Sequence, residues 1–213
     1  MRPHEVECFR ERIPAEFELS TSNLTQGPWE LSMTEDYGVV MVGGSGRYGA
    51  FHNEEPWYQP TLELLRRLVE SGKPLFSSCW GHEALAVALG GRVQMDPEGY
   101  ELGLLPVTLS PQGREDPLFS TLPDPFITPL GHQEQVVELP RDGVLLASTQ
   151  RCRIQAYRIK NRPVYSTQFH PELSSGRLWE RVEAYLPHLR DQHKGHDHAC
   201  TDHLITEFLK LYS

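Results

Sequence analysis

Cys79 sits in the stretch Pro74-Leu75-Phe76-Ser77-Ser78-Cys79-Trp80-Gly81-His82-Glu83. A short apolar run leads in, and the alanine- and leucine-rich run 84–89 leads out to Gly90-Gly91. The pattern predicts strand, sharp turn and helix, with the cysteine on the turn. Such a turn is a nucleophile elbow, which lifts one side chain out of a sheet and sets it at a helix N-terminus. The free N–H groups and the helix dipole there favour the thiolate, the reactive form of cysteine. Gly81 leaves room for the tight backbone. A buried core cysteine fits the same local pattern, because free cysteine is among the most buried residue types.

A second group lies far downstream. Val164-Tyr165-Ser166-Thr167-Gln168-Phe169-His170-Pro171-Glu172 reads as a strand ending in His-Pro-Glu. Residues two apart in extended backbone point to the same face. Pro171 holds the segment extended, so the Glu172 carboxylate falls beside the His170 imidazole and orients it. A thiol, a base and an orienting acid from separate parts of a chain are the parts of nucleophilic catalysis. A lone histidine before proline is usually structural; both features in one chain favour catalysis.

Other elements must position these groups. The apolar run 37–42 predicts a buried parallel strand. It opens into Gly43-Gly44-Ser45-Gly46-Arg47-Tyr48-Gly49. This loop lacks the Lys-Ser/Thr of a phosphate loop and the spacing of a dinucleotide fingerprint, so no nucleotide cofactor is expected. A flexible strand-to-helix connection is its plainer reading. Residues 57–71 carry Leu62, Leu65, Leu68 and Val69 at helical spacing, with Pro60 in the first turn and Gly72 at the end. Strand, helix and strand at this spacing predict a right-handed crossover and a parallel sheet. Sites on such sheets lie at the carboxyl ends of the strands, where Gly44 and Cys79 both fall.

The remaining segments are less regular. Residues 4–9 read as a short strand, and 10–35 as a loop with one helical turn. Residues 92–139 are β-rich, with strands at 104–109 and 135–139 about a proline-rich connection, 117–129. Residues 154–159 and 164–169 flank a turn at Lys160-Asn161-Arg162 and predict an antiparallel hairpin that delivers His170. A short helix is expected over 178–186. A last one follows Thr201 as N-cap, with Leu204, Ile205, Phe208, Leu209 and Tyr212 inward. Between these helices lie His188, His193, His196, His198, Cys200 and His203. Their spacing fits no strong zinc pattern, and a solvated loop is expected rather than a metal site.

The length of 213 residues suits one α/β domain, and a net charge of −9 argues against a nucleic-acid-binding face. No apolar run is long enough to span a membrane. The cysteines Cys8, Cys79, Cys152 and Cys200 form no Cys-x-x-Cys pair, and a reactive thiol suits the reducing cytoplasm.

The Gly-Gly loop, the elbow Cys-x-Gly-His and the downstream His-Pro-Glu together resemble a class I, triad-type glutamine amidotransferase domain, and most of all the stand-alone glutaminase type of GMP synthase. The resemblance runs from about Tyr37 to Glu172. It implies a three-layer, flavodoxin-like α/β fold over 1–213. Its central sheet would be mostly parallel and flanked by helices, with a β-rich insertion and C-terminal helices. It implies catalytic Cys79, His170 and Glu172, and an oxyanion hole from the Gly44 and Trp80 N–H groups. Gly131-His132-Gln133-Glu134-Gln135-Val136 is similar to the family's Ser-His-x-Asp-x-Val, which makes His132 and Gln133 pocket candidates. Glu83 stands where the family has a glutamine that binds the amino-acid end of substrate.

The implied reaction is hydrolysis of glutamine or a γ-glutamyl compound through a thioester, without cofactor. Ammonia could pass to a synthase in trans; no nucleic-acid or membrane partner is implied. A retired amidotransferase fold serving as a binding or regulatory protein is the alternative, and a thiol sensor similar to DJ-1 would share the elbow but not require His-Pro-Glu. Three departures stand out: Ser77 where glycine is usual, Glu83 for glutamine, and a start that lacks the family's first strand and helix. An unfilled first slot in the sheet is the expectation that follows.

Overall fold

The computed structural model describes residues 2–27, 29–192, 196 and 198–213. Helix α1 (Arg2–Arg12) opens the chain, followed by β1 (Val40–Val42), α2 (Tyr58–Ser71), β2 (Leu75–Ser78) and α3 (Trp80–Ala88). Next come β3 (Arg92–Met95), β4 (Glu101–Leu109), α4 (Pro111–Glu115), β5 (Phe126–His132), β6 (Glu134–Glu138) and β7 (Gly143–Ser148). The chain closes with β8 (Ala156–Ile159), β9 (Val164–Thr167), α5 (Ser175–Tyr185) and α6 (Leu204–Tyr212).

Seven strands form one sheet in the order β1-β2-β9-β8-β7-β4-β5, and β3 pairs with β6 in a small second sheet. The pairs β1–β2 and β2–β9 are parallel, with Val40 opposite Leu75 and Leu75 opposite Val164. These three strands therefore deliver the glycine loop, the elbow and the segment leading to His170 at one end of the sheet. The remaining pairings are antiparallel, so the parallel character expected from the sequence is confined to the strands that carry the site.

The layers follow from the two-residue repeat of β2. Leu75 faces a cluster with Leu65, Leu68, Leu85 and Trp80 from α2 and α3. Phe76 faces the opposite cluster, with Tyr165 and with Phe208 and Leu204 from α6. All four residues of β2 are buried, as expected of a central strand covered on both faces.

Several local expectations are corrected. Residues 4–9 are helical, not extended: Glu5, Val6, Glu7 and Cys8 alternate as a strand would, but the burial of Cys8 and Phe9 and the Glu5 bonds to Gly44 and Arg181 override that local pattern. The proline-rich connection ends in β5, which lies at the sheet edge, where Pro129 has a strand partner on one side only and its carbonyl accepts the His170 N–H. The helix expected over 178–186 starts earlier, at the Ser174 cap, whose Oγ accepts the Arg177 N–H at 3.2 Å. Thr201 does not cap α6 with its hydroxyl, which bonds Thr128 Oγ1 at 2.9 Å. Of the histidine-rich segment, His193 lies outside the described residues, while the His196 and Cys200 N–H groups donate to the Leu104 and Ile127 carbonyls. No helix among the described residues is long and apolar enough to cross a membrane.

Gly81 is the tightest contact of the elbow. A Cβ there would lie 2.4 Å from the Val42 carbonyl oxygen, at the end of β1. Neither backbone can yield without opening the β1–β2 ladder. Gly81→Ala should therefore lower stability by about 2 kcal/mol or more, the scale of overpacking in a closed core. Thermal denaturation of the two proteins followed by circular dichroism checks this; equal melting temperatures would show that α3 is free to shift.

Candidate active site

Cys79 joins β2 to α3 with φ of 52° and ψ of −111°. Non-glycine residues rarely hold such a φ, and strain of this kind gathers at functional turns. Hydrogen bonds pin the turn on both sides. The Cys79 N–H donates to the Thr167 carbonyl at 2.8 Å, and its carbonyl accepts the Glu83 N–H at 3.1 Å. A hydroxyl chain braces it from below. Ser77 Oγ donates to Ser166 Oγ at 2.7 Å, and Ser166 Oγ lies 2.8 Å from His82 Nδ1. The other ring nitrogen of His82 donates to the Ile154 carbonyl at 3.2 Å. Burial lowers the His82 pKa to about 3, so this histidine is a neutral tie. The serine at position 77 thus has a structural partner of its own.

His170 follows β9, held by its N–H on the Pro129 carbonyl at 2.9 Å. Its Nδ1–H donates to Glu172 Oε1 at 2.5 Å. A carboxylate only accepts, so Nδ1 carries the proton and Nε2 is left to exchange one. Both side chains are buried. Burial pushes the Glu172 carboxyl up, but the His170 charge and hydrogen bond and the Arg181 guanidinium outweigh it and leave the pKa below the usual carboxylate value. A Cβ placed on Gly44 would lie 3.2 Å from His170 Cε1 and 3.5 Å from Cys79 Cβ. The glycine loop, the elbow and the imidazole therefore border one point. The Trp80 N–H, at the first residue of α3, is among the donors that a helix leaves unpaired within itself.

Two residues at this point carried no signal that was read in the sequence. The Gly44 N–H donates to Glu5 Oε1 at 2.8 Å. The other Glu5 oxygen pairs with Arg181, whose second guanidinium nitrogen lies 3.4 Å from His170 Nδ1. Glu5 was hidden by reading 4–9 as a strand. Arg181 had a legible sign: it is a charge adjoining Leu178 and Val182 on the buried face of a helix. Cys79 itself is raised well above the ordinary thiol pKa, by burial first and then by the Glu83 and Glu5 charges. The helix N-terminus alone does not make it a thiolate in this arrangement.

A thiol at a strained elbow, an imidazole fixed by a carboxylate and backbone donors beside them are the parts for acyl transfer through a thioester. The family description "Glutamine amidotransferase class-I" matches residues 6–182. This chain belongs to the class I glutamine amidotransferase family. It is 32% identical over 148 residues to a subunit of the glutamine-hydrolyzing GMP synthase of Methanocaldococcus jannaschii, covering 67% of this chain and 68% of that one. Against the like-named protein of Methanopyrus kandleri the figures are 31% identity, 64% of this chain and 66% of the relative. The chain spans only 24% of the GMP synthase of Caldicellulosiruptor saccharolyticus, at 33% identity over 64% of its own length. A glutamine amidotransferase from Thermotoga maritima superposes with a TM-score of 0.77 over 97% of this chain and 90% of that one, at 21% identity, and so shares the fold.

Within this amidotransferase fold, the three pocket candidates lie apart from Cys79's immediate neighbours or are buried. His132 is buried, with Nδ1–H on the Glu134 carbonyl at 2.8 Å and Nε2 3.1 Å from Glu101 Oε2. The Gln155 amide also donates to Glu101, at 2.8 Å. Glu101, His132 and Cys152 place their potential ligand atoms within 4.8 Å of one another, the group among the described residues that could hold a metal. The His132–Glu101 contact and the Gln155 bond already occupy the histidine and the carboxylate. Gln133 is partly exposed, and its carbonyl accepts the Asp96 N–H at 2.7 Å. Glu83 is 4% exposed and accepts from Gln168 Nε2 at 2.8 Å.

An exposed glutamate is ionised at neutral pH, but Glu83 is buried. Burial raises its pKa to about 8, helped by the charge of neighbouring Glu134 and a hydrogen bond with it. At neutral pH the carboxyl is therefore mostly protonated and can both donate and accept, as the family's glutamine amide does. The folded pKa lies above the unfolded one, so no penalty exists below about 4.5, and the unfolded state gains relative stability as pH rises from there to about 8. Wild-type stability should fall over this window by up to about 1.4 kcal/mol per pH unit from this group. Glu83→Gln should remove that slope, so its advantage over wild type should grow between mildly acidic and mildly alkaline buffer. Urea denaturation of both proteins across this range measures it; parallel stability curves would show an ionised Glu83 throughout.

Proposed function

We propose that this class I amidotransferase hydrolyses the side-chain amide of glutamine or of a γ-glutamyl compound through a thioester on Cys79. The observation that carries the reading is the strained elbow at Cys79 beside the buried His170–Glu172 pair, 2.5 Å apart. His170 takes the thiol proton, and the sulfur attacks the γ-carbonyl carbon. The Gly44 and Trp80 N–H groups hold the oxygen as negative charge develops there. The C–N bond breaks as His170 returns the proton to the nitrogen, which leaves as ammonia or amine. Water, losing a proton to His170, then attacks the thioester carbon. The sulfur leaves with that proton, and the acyl group departs as a carboxylic acid. Glu172 holds the imidazole orientation and stabilises its charged form.

The relatives named as subunits of a glutamine-hydrolyzing GMP synthase support an ammonia-accepting synthase in trans for this chain too. Under that reading the released ammonia is used by a separate polypeptide, and free hydrolysis is the slower basal reaction.

Glutamate release from glutamine and from a panel of γ-glutamyl amides tests the reaction. Cys79→Ala and His170→Ala should each lower kcat by about a thousandfold or more, and Glu172→Gln by less, since members of such a unit are not additive. The wild type should also form an acyl-enzyme on the Cys79 peptide, visible by mass spectrometry after acid quench. Undiminished turnover in Cys79→Ala would end this reading.

A further inference from the structure

Resting on that reaction, we propose that helix α1 is a built-in inhibitor whose Glu5 side chain fills the acyl-binding point of the site as a mimic of the product carboxylate. The product of the proposed reaction is glutamate, and Glu5 offers the same side chain. Its Oε1 takes the Gly44 N–H at 2.8 Å, the donor that a substrate oxygen would need. A Cβ built on Gly44 would lie 3.4 Å from that oxygen, 3.2 Å from His170 Cε1 and 3.5 Å from Cys79 Cβ. The carboxylate therefore occupies the donor, at a glycine that the base and the nucleophile of the reaction above also border. Arg181 holds its other oxygen, and each of the two side chains is 12% exposed. Cys79 lines neither of two surface cavities, one of about 400 Å³ under the 47–56 loop and one of about 430 Å³ beside Trp57.

The rest of α1 is attached in a way that permits release. Cys8 and Phe9 are its buried apolar anchors. Its other ties are polar and include Glu11 with Arg177 at 2.5 Å, His4 with Glu180 at 3.5 Å, Arg12 with Asp202 at 3.4 Å, the Arg12 Nε–H on the Glu172 carbonyl at 3.4 Å and the Thr206 hydroxyl on the Arg12 carbonyl at 2.9 Å. Pairs of this kind add little each. Between α1 and β1 the described residues form two short 3₁₀ turns, Leu24–Gln26 and Leu31–Thr34, and no strand of the sheet. Withdrawing Glu5 frees the Gly44 donor and takes a negative charge away from a thiol that burial and nearby carboxylates hold protonated. It also leaves Arg181, beside His170, without its Glu5 partner. Substrate and α1 then compete for one point, and whatever favours the undocked helix raises activity by shifting that population.

The test reads the thiol directly, so that it does not depend on knowing the substrate. Alkylation of Cys79 by iodoacetamide near neutral pH is followed by peptide mass spectrometry in wild type, Glu5→Ala and Glu7→Ala, the last an exposed position on the same helix. Glu5→Ala should react about tenfold faster or more, and Glu7→Ala at the wild-type rate, because access and thiolate fraction both set the rate. In wild type, once Cys79 carries the carbamidomethyl group, amide exchange in residues 4–12 should quicken, since group and carboxylate cannot share the point. This second measurement decides the matter if Glu5→Ala does not fold. Equal Cys79 rates in folded Glu5→Ala and wild type, or unchanged exchange in α1 after alkylation, would overturn the proposal. Faster alkylation of Glu5→Ala with no turnover of any γ-glutamyl compound would uphold the inhibitor and sink the hydrolase reading instead.

Discussion

A positive φ at Cys79 is the constraint on which the site rests. An L-residue adopts it only when the surroundings over-determine the backbone. Here they do so from three sides. The β9 carbonyl of Thr167 takes the Cys79 N–H, the first turn of α3 takes its carbonyl, and Gly81 allows α3 to press against the end of β1. The Ser77–Ser166–His82 chain adds a polar rivet between the elbow and β9. Any of these partners placed differently would relax the turn and lower the sulfur back toward the sheet. The parallel pairing of β1, β2 and β9 thus serves the chemistry by bringing three loops to one end.

Around this turn, buried and partly buried carboxyl groups are each handled differently, and the difference follows from their neighbours. Glu172 has a histidine and an arginine beside it and stays ionised. Glu83 has an amide and another carboxylate and is driven toward the protonated form. Glu101 is bonded to His132 and Gln155. Glu134 takes the Ala50 and Phe51 N–H groups at 2.7 and 3.0 Å, and so ties the loop that follows Gly44 to the β-rich half. Removing a single partner from any of these would leave a buried charge or donor unmet, which costs more than the bond itself contributes. The β-rich segment is in this sense the wall against which the site is built.

The departures from the family pattern take on physical meaning in this setting. Ser77 supplies a hydroxyl to a buried chain that a glycine would leave short. Glu83, protonated, offers the donor and acceptor that an amide would. Both changes are tolerated because the environment supplies the compensating partner or proton.

Much of this was legible from local pattern. The elbow, the glycine loop, the amphipathic run of α2 and the hairpin carrying His170 each have a period or a breaker within a few residues, and local sterics set them. His170 and Glu172 do pair, but not through the extended backbone expected from the sequence: they lie in a turn in which the Leu173 N–H donates to the His170 carbonyl at 3.2 Å. What stayed hidden depends on contacts between distant segments. The strand β5 was masked by Pro125 and Pro129, which its edge position accommodates. The protonation of Glu83 and of Cys79 is decided by burial and by charges brought from other elements, and no residue type announces that. Glu5 is the clearest case: its sequence neighbours show a polar, charged run, and nothing local says that it meets Gly44 and Arg181. The chain's chemistry was written in short motifs, whereas its electrostatics, and the contact of α1 with the glycine loop, exist only once the fold has closed.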